Sequence, residues 1–384
     1  MIFTINILLL LFSLQSLQSF YINPITFIRK TIKHVDSRLK PLTTHSFTQM
    51  KMNIDDSNIS EQTKYDLQWY VIGVPSDFSK SIPKKVRVWN KEYAVWKGND
   101  GFFRATQNEC SHKGASLSGG KIINDKIICP YHGYEFAKNG TLLKVPGICF
   151  NHTSIHDISS YPVVEKNGWV YLNTYERNSE TRDIMFHENI YNEPEACSNF
   201  TAVHLKLNFN CYSRVLSENS LDVMHIGFVH TFGNRIKPAP TFEKPPHKIN
   251  DYHYKTIYNY ESGDDSMARR IFGVKKLIIE NEFILPHTTV ARVIFGDFVS
   301  TVITFALPVG DNKSILYVKT YRNFWINSIG DMVTYNMMFD TMNQDKAVVE
   351  NINPICMDGK FNMKYDKLQN VYKTFYRKFI HKID

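Results

Sequence analysis

Cys110, His112, Cys129 and His132 carry the most explicit chemistry in this chain. They occur as Cys-Ser-His and, after sixteen intervening residues, Cys-Pro-Tyr-His. Thiolates and imidazoles both bind metals, so four of them in two short runs read as a metal site. Zinc accepts such a set, but zinc-binding sequences usually gather their cysteines in one close pair and their histidines in another. Here each run holds one of each. That arrangement suits a cluster of two irons and two sulfides, with both cysteines on one iron and both histidines on the other. Gly114, Gly119 and Gly120 let the first run fold tightly, and Cys129 to Gly133 reads as a second tight loop. Structural zinc is the competing reading.

A second run, Glu218 to His230, offers further ligands. Asn219, Asp222 and His225 recur every three residues, which on a helix places them near one face. His230 follows five residues later, about 140° further round a regular helix. The two histidines reach one metal only where the helix breaks or the chain curls, and Gly227 permits that. Alone, the pair is equally well read as two satisfied helix histidines. A one-electron centre upstream changes the weighing, because it needs an acceptor. Two histidines and a carboxylate form a site that binds Fe(II) and keeps positions open for O2. The carboxylate must come from elsewhere in the chain.

These residues need elements to position them. From Leu67 the chain is patterned as strands. Val86–Trp89 and Tyr93–Trp96 are short aromatic and β-branched runs, Asn99-Asp100-Gly101 is a turn, and Gly168–Leu172 is another strand. Residues 67–176 therefore read as a small antiparallel β domain. The polar stretch Glu176–Asp183 separates it from residues 183–384. There, Leu277–Leu285, Thr289–Phe295, Ser300–Leu307 and Ile315–Tyr321 alternate like strands of one antiparallel sheet. Asp331–Ile352 contains no Gly or Pro and reads as one long helix. Strands followed by a helix indicate an α+β domain. There are no internal repeats and no expected C-terminal membrane span.

At 384 residues, 43% of them hydrophobic and 14% aromatic, the chain has room for two ordinary globular domains. Beyond Cys110 and Cys129, the cysteines Cys149, Cys197, Cys211 and Cys356 show no framework spacing and read as free thiols. Asn139 and Asn151 begin sequons, which matter only for a chain that matures in the secretory lumen. Ile2–Phe12 is nearly all apolar, like the core of a signal peptide, with a possible cut after Ser19. Phe20–Met52 then carries Arg29, Lys30, Lys33, Arg38, Lys40 and Lys51 against Asp36 alone. Residues 1–52 are thus expected to be a presequence, similar to the bipartite plastid presequences of algae with secondary plastids. A plain secretory signal or a membrane anchor is the alternative. Its six basic side chains against one acidic supply +5 of the formal +8, so the remainder is only +3. That balance gives no support for nucleic-acid binding. Residues 53–66 read as a linker.

The segments CSHKGASLSGG and CPYHGYEF, at Cys110 and Cys129, resemble the Rieske family. The pattern N-x-x-D-x-x-H-x4-H over Asn219–His230 resembles the mononuclear iron motif of Rieske oxygenases. The resemblance extends over nearly all of residues 67–384. It implies a [2Fe–2S] cluster on Cys110, His112, Cys129 and His132, in a β domain followed by an α+β catalytic domain with a central antiparallel sheet. It implies a mononuclear Fe(II) on His225, His230 and Asp345, the last from the helical run Asn343–Glu350, with Glu350 and Asp340 as competitors. Asp222 would bridge a cluster histidine of one subunit to an iron histidine of its neighbour, which makes sense only in a head-to-tail homotrimer. Asn219 would lie near the iron or support that bridge. A ferredoxin or ferredoxin-like reductase would supply electrons, and O2 would oxidise an apolar cyclic substrate.

Glu218–Asp222, His230–Pro240, Tyr365–Leu368 and Tyr376-Arg377 are similar to the chlorophyllide a oxygenase and pheophorbide a oxygenase group, which implies a chlorophyll-derived tetrapyrrole. Two features depart from that group. Cys356 stands without a Cys-x-x-Cys partner, and Lys113 occupies a position where arginine is common. The chain also resembles aromatic O-demethylases of the vanillate and dicamba type, and a sterol is a further alternative. An electron carrier or redox sensor without a catalytic iron is the reading from another class.

Overall fold

In the computed structural model the described residues are 69–380, except 176–189, 198, 265, 354, 355, 357 and 360. The expected presequence, the linker 53–66 and the separator Glu176–Asp183 lie outside them.

The first part is built from three small antiparallel sheets. Trp69–Gly73 (β1) pairs with a later strand. Lys84–Val88 (β2), Lys91–Lys97 (β3) and Phe103–Gln107 (β4) form a meander. Their alternation is visible in β2, where Val86 and Val88 are buried while Lys85 and Arg87 face solvent. The expected turn lies between β3 and β4, with Gly101 at φ +87° and Asp100 Oδ1 accepting from Phe102 N at 3.1 Å. Lys121–Ile123 (β5), Lys126–Ile128 (β6), Glu135–Phe136 (β7) and Leu142–Lys144 (β8) make the second sheet. Ser160–Tyr161 (β9) completes the first. Val163–Lys166 (β10) and Trp169–Asn173 (β11) join β1 in the third.

The second part centres on a seven-stranded antiparallel sheet. Its members are Thr201–Phe209 (β12), Phe242–Asn250 (β13), His253–Glu261 (β14), Lys276–Ile284 (β15), Thr288–Phe295 (β16), Phe298–Gly310 (β17) and Lys313–Arg322 (β18), ordered β12-β18-β17-β16-β15-β14-β13. The last four in chain order are the expected strands. The first three were not read as strands. β13 carries Pro245 and Pro246, which a sheet tolerates only at an edge or bulge. It is an edge strand, and its register shifts between Lys244 and His247. The helices are Ser213–Leu221 (α1), Ile226–Val229 (α2), Met267–Arg270 (α3), Ser328–Val349 (α4) and Lys367–Ile380 (α5). α4 starts three residues before the expected Asp331 because Asn327 caps it, accepting from Gly330 N at 2.9 Å. The whole is α+β. No described helix is long and apolar enough to cross a membrane.

The two parts share one core. Trp169 and Tyr171 of β11 pack on Phe305 of β17, and Tyr317 Oη donates to Ile72 O at 3.0 Å. Lys319 Nζ, on β18, donates to Asn167 O at 2.5 Å and to Glu193 Oε2 at 2.7 Å. α5 buries Leu368 and Tyr372 against Leu221 and Phe283. Gln369 Nε2 then donates to Glu218 O at 2.8 Å. The C-terminal helix therefore braces the end of α1, from which the second metal motif continues. The six cysteines are free.

His287 sits wholly buried among the rings of Tyr70, Trp89 and Tyr376 at 5.6, 6.0 and 5.7 Å. Neither ring nitrogen has a partner among the described residues. Burial pushes its pKa down to about 3. An unfolded histidine takes up a proton below about 6.5, whereas the folded one resists until about 3. Falling pH therefore favours unfolding across that window, by about 2 kcal/mol between pH 8 and pH 5 for one such group. His287→Phe keeps a ring and removes the titration. Urea unfolding at the two pH values should show the variant less acid-sensitive by about that amount; an unchanged pH dependence contradicts the assignment.

Candidate metal centres

The two Cys/His runs fold as near-copies of one another. Cys110 N donates to Ala115 O and Gly114 N to Cys110 O, both at 2.9 Å. Cys129 N donates to Tyr134 O at 2.9 Å and Gly133 N to Cys129 O at 3.0 Å. Gly114 and Gly133 hold φ +69° and +70°, a left-handed conformation that side chains disfavour. The cysteine opens each loop, and the histidine is third in one and fourth in the other. Both cysteines are buried and both histidines exposed. The imidazoles of His112 and His132 lie 4.8 Å apart, and His112 stacks on Tyr134 at 4.8 Å and 7°. Ser111 Oγ donates to His156 O at 2.6 Å, tying the first loop to a third.

These side chains fit a two-metal cluster better than one zinc. Tetrahedral zinc draws all four ligand atoms to within about 4 Å of one another. Among the described residues, the one group of three or more ligating side chains whose ligand atoms all lie within 4.8 Å is His225, His230 and Asp345. The Cys/His set does not form such a group. Burial, together with the adjacent Cys129 thiol, pushes the Cys110 thiol up to about 11. A metal held there must therefore displace a proton from the buried Cys110 thiol, as zinc and iron–sulfur centres both do.

At the second site the helix breaks earlier than expected. α1 ends at Leu221, and Asp222 is extended at φ −74°, ψ 126°. Asn219, Asp222 and His225 therefore do not share one helix face, although all three line one cavity. Asp222 Oδ1 accepts from Met224 N at 2.7 Å and His225 N at 3.4 Å, starting the short turn α2. His225 precedes that turn and His230 ends it. Gly227 is not the hinge. It serves close approach, since a Cβ there would meet Pro238 Cβ at 2.7 Å.

The curl brings the histidines together. Their Nε2 atoms lie 3.2 Å apart, and each is 3.5 Å from Asp345 Oδ1 on α4. Asp345 Oδ1 is buried with no hydrogen-bond partner. A buried carboxylate oxygen facing two imidazole nitrogens matches the donor set for a divalent ion. Asp340 is exposed, and Glu350 Oε1 is taken by Asn210 N at 2.6 Å, so neither competitor joins the group. The outer nitrogens are held as well. His225 Nδ1 faces Asp222 O at 3.0 Å, and His230 Nδ1 faces Gln344 Oε1 at 3.1 Å. If each Nδ1 donates, each Nε2 is free to ligate. Burial lowers the pKa of both rings; for His225 the Asp345 bond and charge outweigh it and raise the value, while His230 stays lowered, with the His225 charge adding to burial.

Gln344 was not singled out in the sequence. Its position beside Asp345 was the available signal, because a residue preceding a helical ligand can reach a neighbouring ring. Gln344→Leu should weaken Fe(II) binding about 10- to 100-fold, measured by competition with a chelator. Equal affinity in variant and wild type would show that Gln344 holds no tautomer.

The His225, His230 and Asp345 group lies in the wall of a cavity of about 320 Å³. The lining surface is mainly apolar, from Phe232, Leu277, Val293, Phe295, Val302 and Phe324, with Asn219, Asp222, Asn281, Lys237 and Glu261 among the polar residues around it. An apolar chamber with a few convergent polar groups is the usual form of a small-molecule site.

The profile of the Rieske [2Fe-2S] domain matches residues 68–161. The chain is 28% identical over 162 residues to the vanillate O-demethylase oxygenase subunit of Pseudomonas sp. (strain HR199 / DSM 7063), covering 42% of this chain and 44% of that protein. It is 27% identical over 182 residues to chlorophyllide a oxygenase of Chlamydomonas reinhardtii, covering 46% and 26%. With pheophorbide a oxygenase of Oryza sativa subsp. japonica it shares 24% over 294 residues, covering 70% and 51%. The matches thus span less than half the length of the first two relatives and about half of the third. Dicamba monooxygenase bound to dicamba superposes with a TM-score of 0.70 at 18% identity, covering 83% of this chain and 98% of that one. Residues 68–161 of this chain are a Rieske [2Fe-2S] domain, within a chain whose fold is that of dicamba monooxygenase.

Proposed function

We propose that this chain is a Rieske non-heme iron oxygenase acting on an apolar cyclic substrate. The observation that carries the reading is the convergence of His225, His230 and Asp345 on the wall of an apolar cavity, in a chain that also holds the Cys110/His112 and Cys129/His132 loops. When bound, the cluster supplies single electrons and a mononuclear Fe(II) supplies the place where O2 is reduced. The protein does the rest. Cys110 and Cys129 anchor the buried side of the cluster, and exposed His112 and His132 face outward, where an electron donor of the ferredoxin type and a neighbouring subunit can approach. Gln344 and the Asp222 carbonyl fix the iron-site rings. The apolar walls exclude water and hold the substrate by its ring surfaces.

Both cysteines pack in a core made only of residues between Ala94 and Ile158. A cluster seated away from its own chain's second domain suits delivery across a subunit boundary, hence a homotrimer in which Asp222 joins the two centres. Relatives from chloroplasts, together with the basic sequence after an apolar N-terminus, support a plastid location.

A cavity of about 150 Å³ holds benzene, so about 320 Å³ suits roughly a dozen heavy atoms. The motif similarities favour a chlorophyll-derived tetrapyrrole, which would enter by one edge of its macrocycle. The cavity size favours the second reading, a methoxy-aromatic that enters whole and loses its methyl group. The test is anaerobic reduction with each substrate, exposure to ¹⁸O2, and mass spectrometry of the product. Oxidised tetrapyrrole supports the first reading and demethylated aromatic the second. No oxidised product from either, with the cluster intact, contradicts both and favours an electron carrier.

A further inference from the structure

Part of the cavity wall comes from two adjoining segments, one through Phe232, Asn234 and Lys237 and the other through Glu261, Ser262 and Ala268. They are tied by Asn234 Nδ2 donating to Glu261 O at 3.3 Å and by the Lys237–Glu261 pair at 2.8 Å. From this rim large apolar side chains point into solvent. Ile236 is 83% exposed and Ile271, just beyond α3, 57%. Phe272 follows Ile271 directly. Its ring packs on Phe295 and Phe324, both cavity-lining, each at 5.3 Å, and on Trp325 at 5.7 Å. Trp325 is followed by Ile326 and Ile329, 59% and 70% exposed. The exposed apolar side chains around Ile271 and Trp325 thus adjoin the cavity lining through Phe272, and Ile236 stands on the neighbouring lining segment.

The same rim is basic. In sequence, residues 232–238 and 261–276 hold Arg235, Lys237, Arg269, Arg270, Lys275 and Lys276 against Glu261, Asp264 and Asp265. Arg235, Arg270, Lys275 and Lys276 are exposed. Bulky aliphatic tips and a tryptophan, flanked by lysine and arginine, match the chemistry of an anionic lipid surface. The apolar side chains enter the headgroup boundary while the cations meet lipid phosphates. An acidic soluble protein would meet the charges but leave single isoleucines at loop tips with little to cover them. We propose that this rim docks the chain on an anionic membrane, with the cavity opening toward the lipid. An apolar substrate dissolved in the bilayer could then reach the cavity without crossing water. This goes beyond the reaction proposed above and does not depend on it.

The test is co-sedimentation of the full chain with vesicles of phosphatidylglycerol and phosphatidylcholine, and with phosphatidylcholine alone. Wild type should bind the anionic vesicles and lose binding in high salt. Ile236→Ser with Ile271→Ser should weaken partitioning about tenfold or more. Lys275→Glu with Lys276→Glu should weaken it about fivefold or more per residue on the anionic vesicles and little on the neutral ones. Circular dichroism and the visible cluster spectrum check that both variants fold. The apolar N-terminal sequence is common to all of them, so the difference reports the rim. Absence of wild-type binding, or equal binding by all variants, overturns the proposal. So does binding of an acidic ferredoxin at this face without vesicle binding.

Discussion

Asp345→Ala should reduce iron from about three atoms per chain to about two, with the cluster's visible spectrum unchanged. Turnover should fall by about a thousandfold or more, equivalent to about 4 kcal/mol of lost transition-state stabilisation. The expectation rests on Asp345 Oδ1 lying 3.5 Å from both His225 Nε2 and His230 Nε2. That oxygen has no hydrogen-bond partner of its own. Removing it breaks no close hydrogen bond but does remove the carboxylate that faces both rings at 3.5 Å and holds the His225 pKa up, so the stability of the metal-free protein should change little. This separates loss of a ligand from loss of fold. Metal analysis and thermal unfolding on one preparation check it. Three retained irons would remove Asp345 from the ligand set.

Asp222→Asn should leave both metals in place and still slow turnover by about a hundredfold, the upper range for a residue acting through a metal ligand. The side chain has two separable tasks. Asp222 Oδ1 starts the α2 turn by accepting from Met224 N at 2.7 Å and from His225 N at 3.4 Å. Asparagine keeps that oxygen and so keeps the turn. The other carboxylate oxygen shows no hydrogen bond among the described residues, which leaves it available to an imidazole from a neighbouring subunit. Exchanging it for an amide removes the negative acceptor that such a bridge needs. Stopped-flow reoxidation of the reduced cluster should slow in the variant while iron and sulfide content match wild type. Equal reoxidation rates would assign Asp222 to local structure alone.

The chemistry of this chain was more legible than its architecture. Cysteine and histidine at fixed spacing in tight loops announce themselves, because loop geometry is local and glycine marks it. Gly114 and Gly133 adopt the left-handed conformations that tight loops need. The pairing of His225 with His230 was legible as a possibility, but not its cause. The break falls at Asp222, whose side chain accepts from the Met224 and His225 amides leading into the next turn, and sequence periodicity does not reveal such a choice between continuing a helix and leaving it. Gly227 looked like a hinge and instead answers to the approach of Pro238, a contact eleven residues away in sequence. Asp345 could be chosen from its helical run only by resemblance; the fold supplies the reason, since Asp340 points to solvent and Glu350 to Asn210. Of the missed strands, β12 alternates clearly, with Val203, Leu205 and Phe209 buried and His204 and Lys206 exposed, so its period of two is present in the sequence. β13 carries two prolines that only an edge position accommodates.

The most direct measurement is the content of iron, acid-labile sulfide and zinc per chain in protein purified without chelators and resupplied with Fe(II). About three irons, two sulfides and no zinc are expected, two irons in the cluster and one on His225, His230 and Asp345. Two irons with two sulfides, unchanged by Asp345→Ala, would contradict the mononuclear centre, and a single zinc without sulfide would contradict the account as a whole.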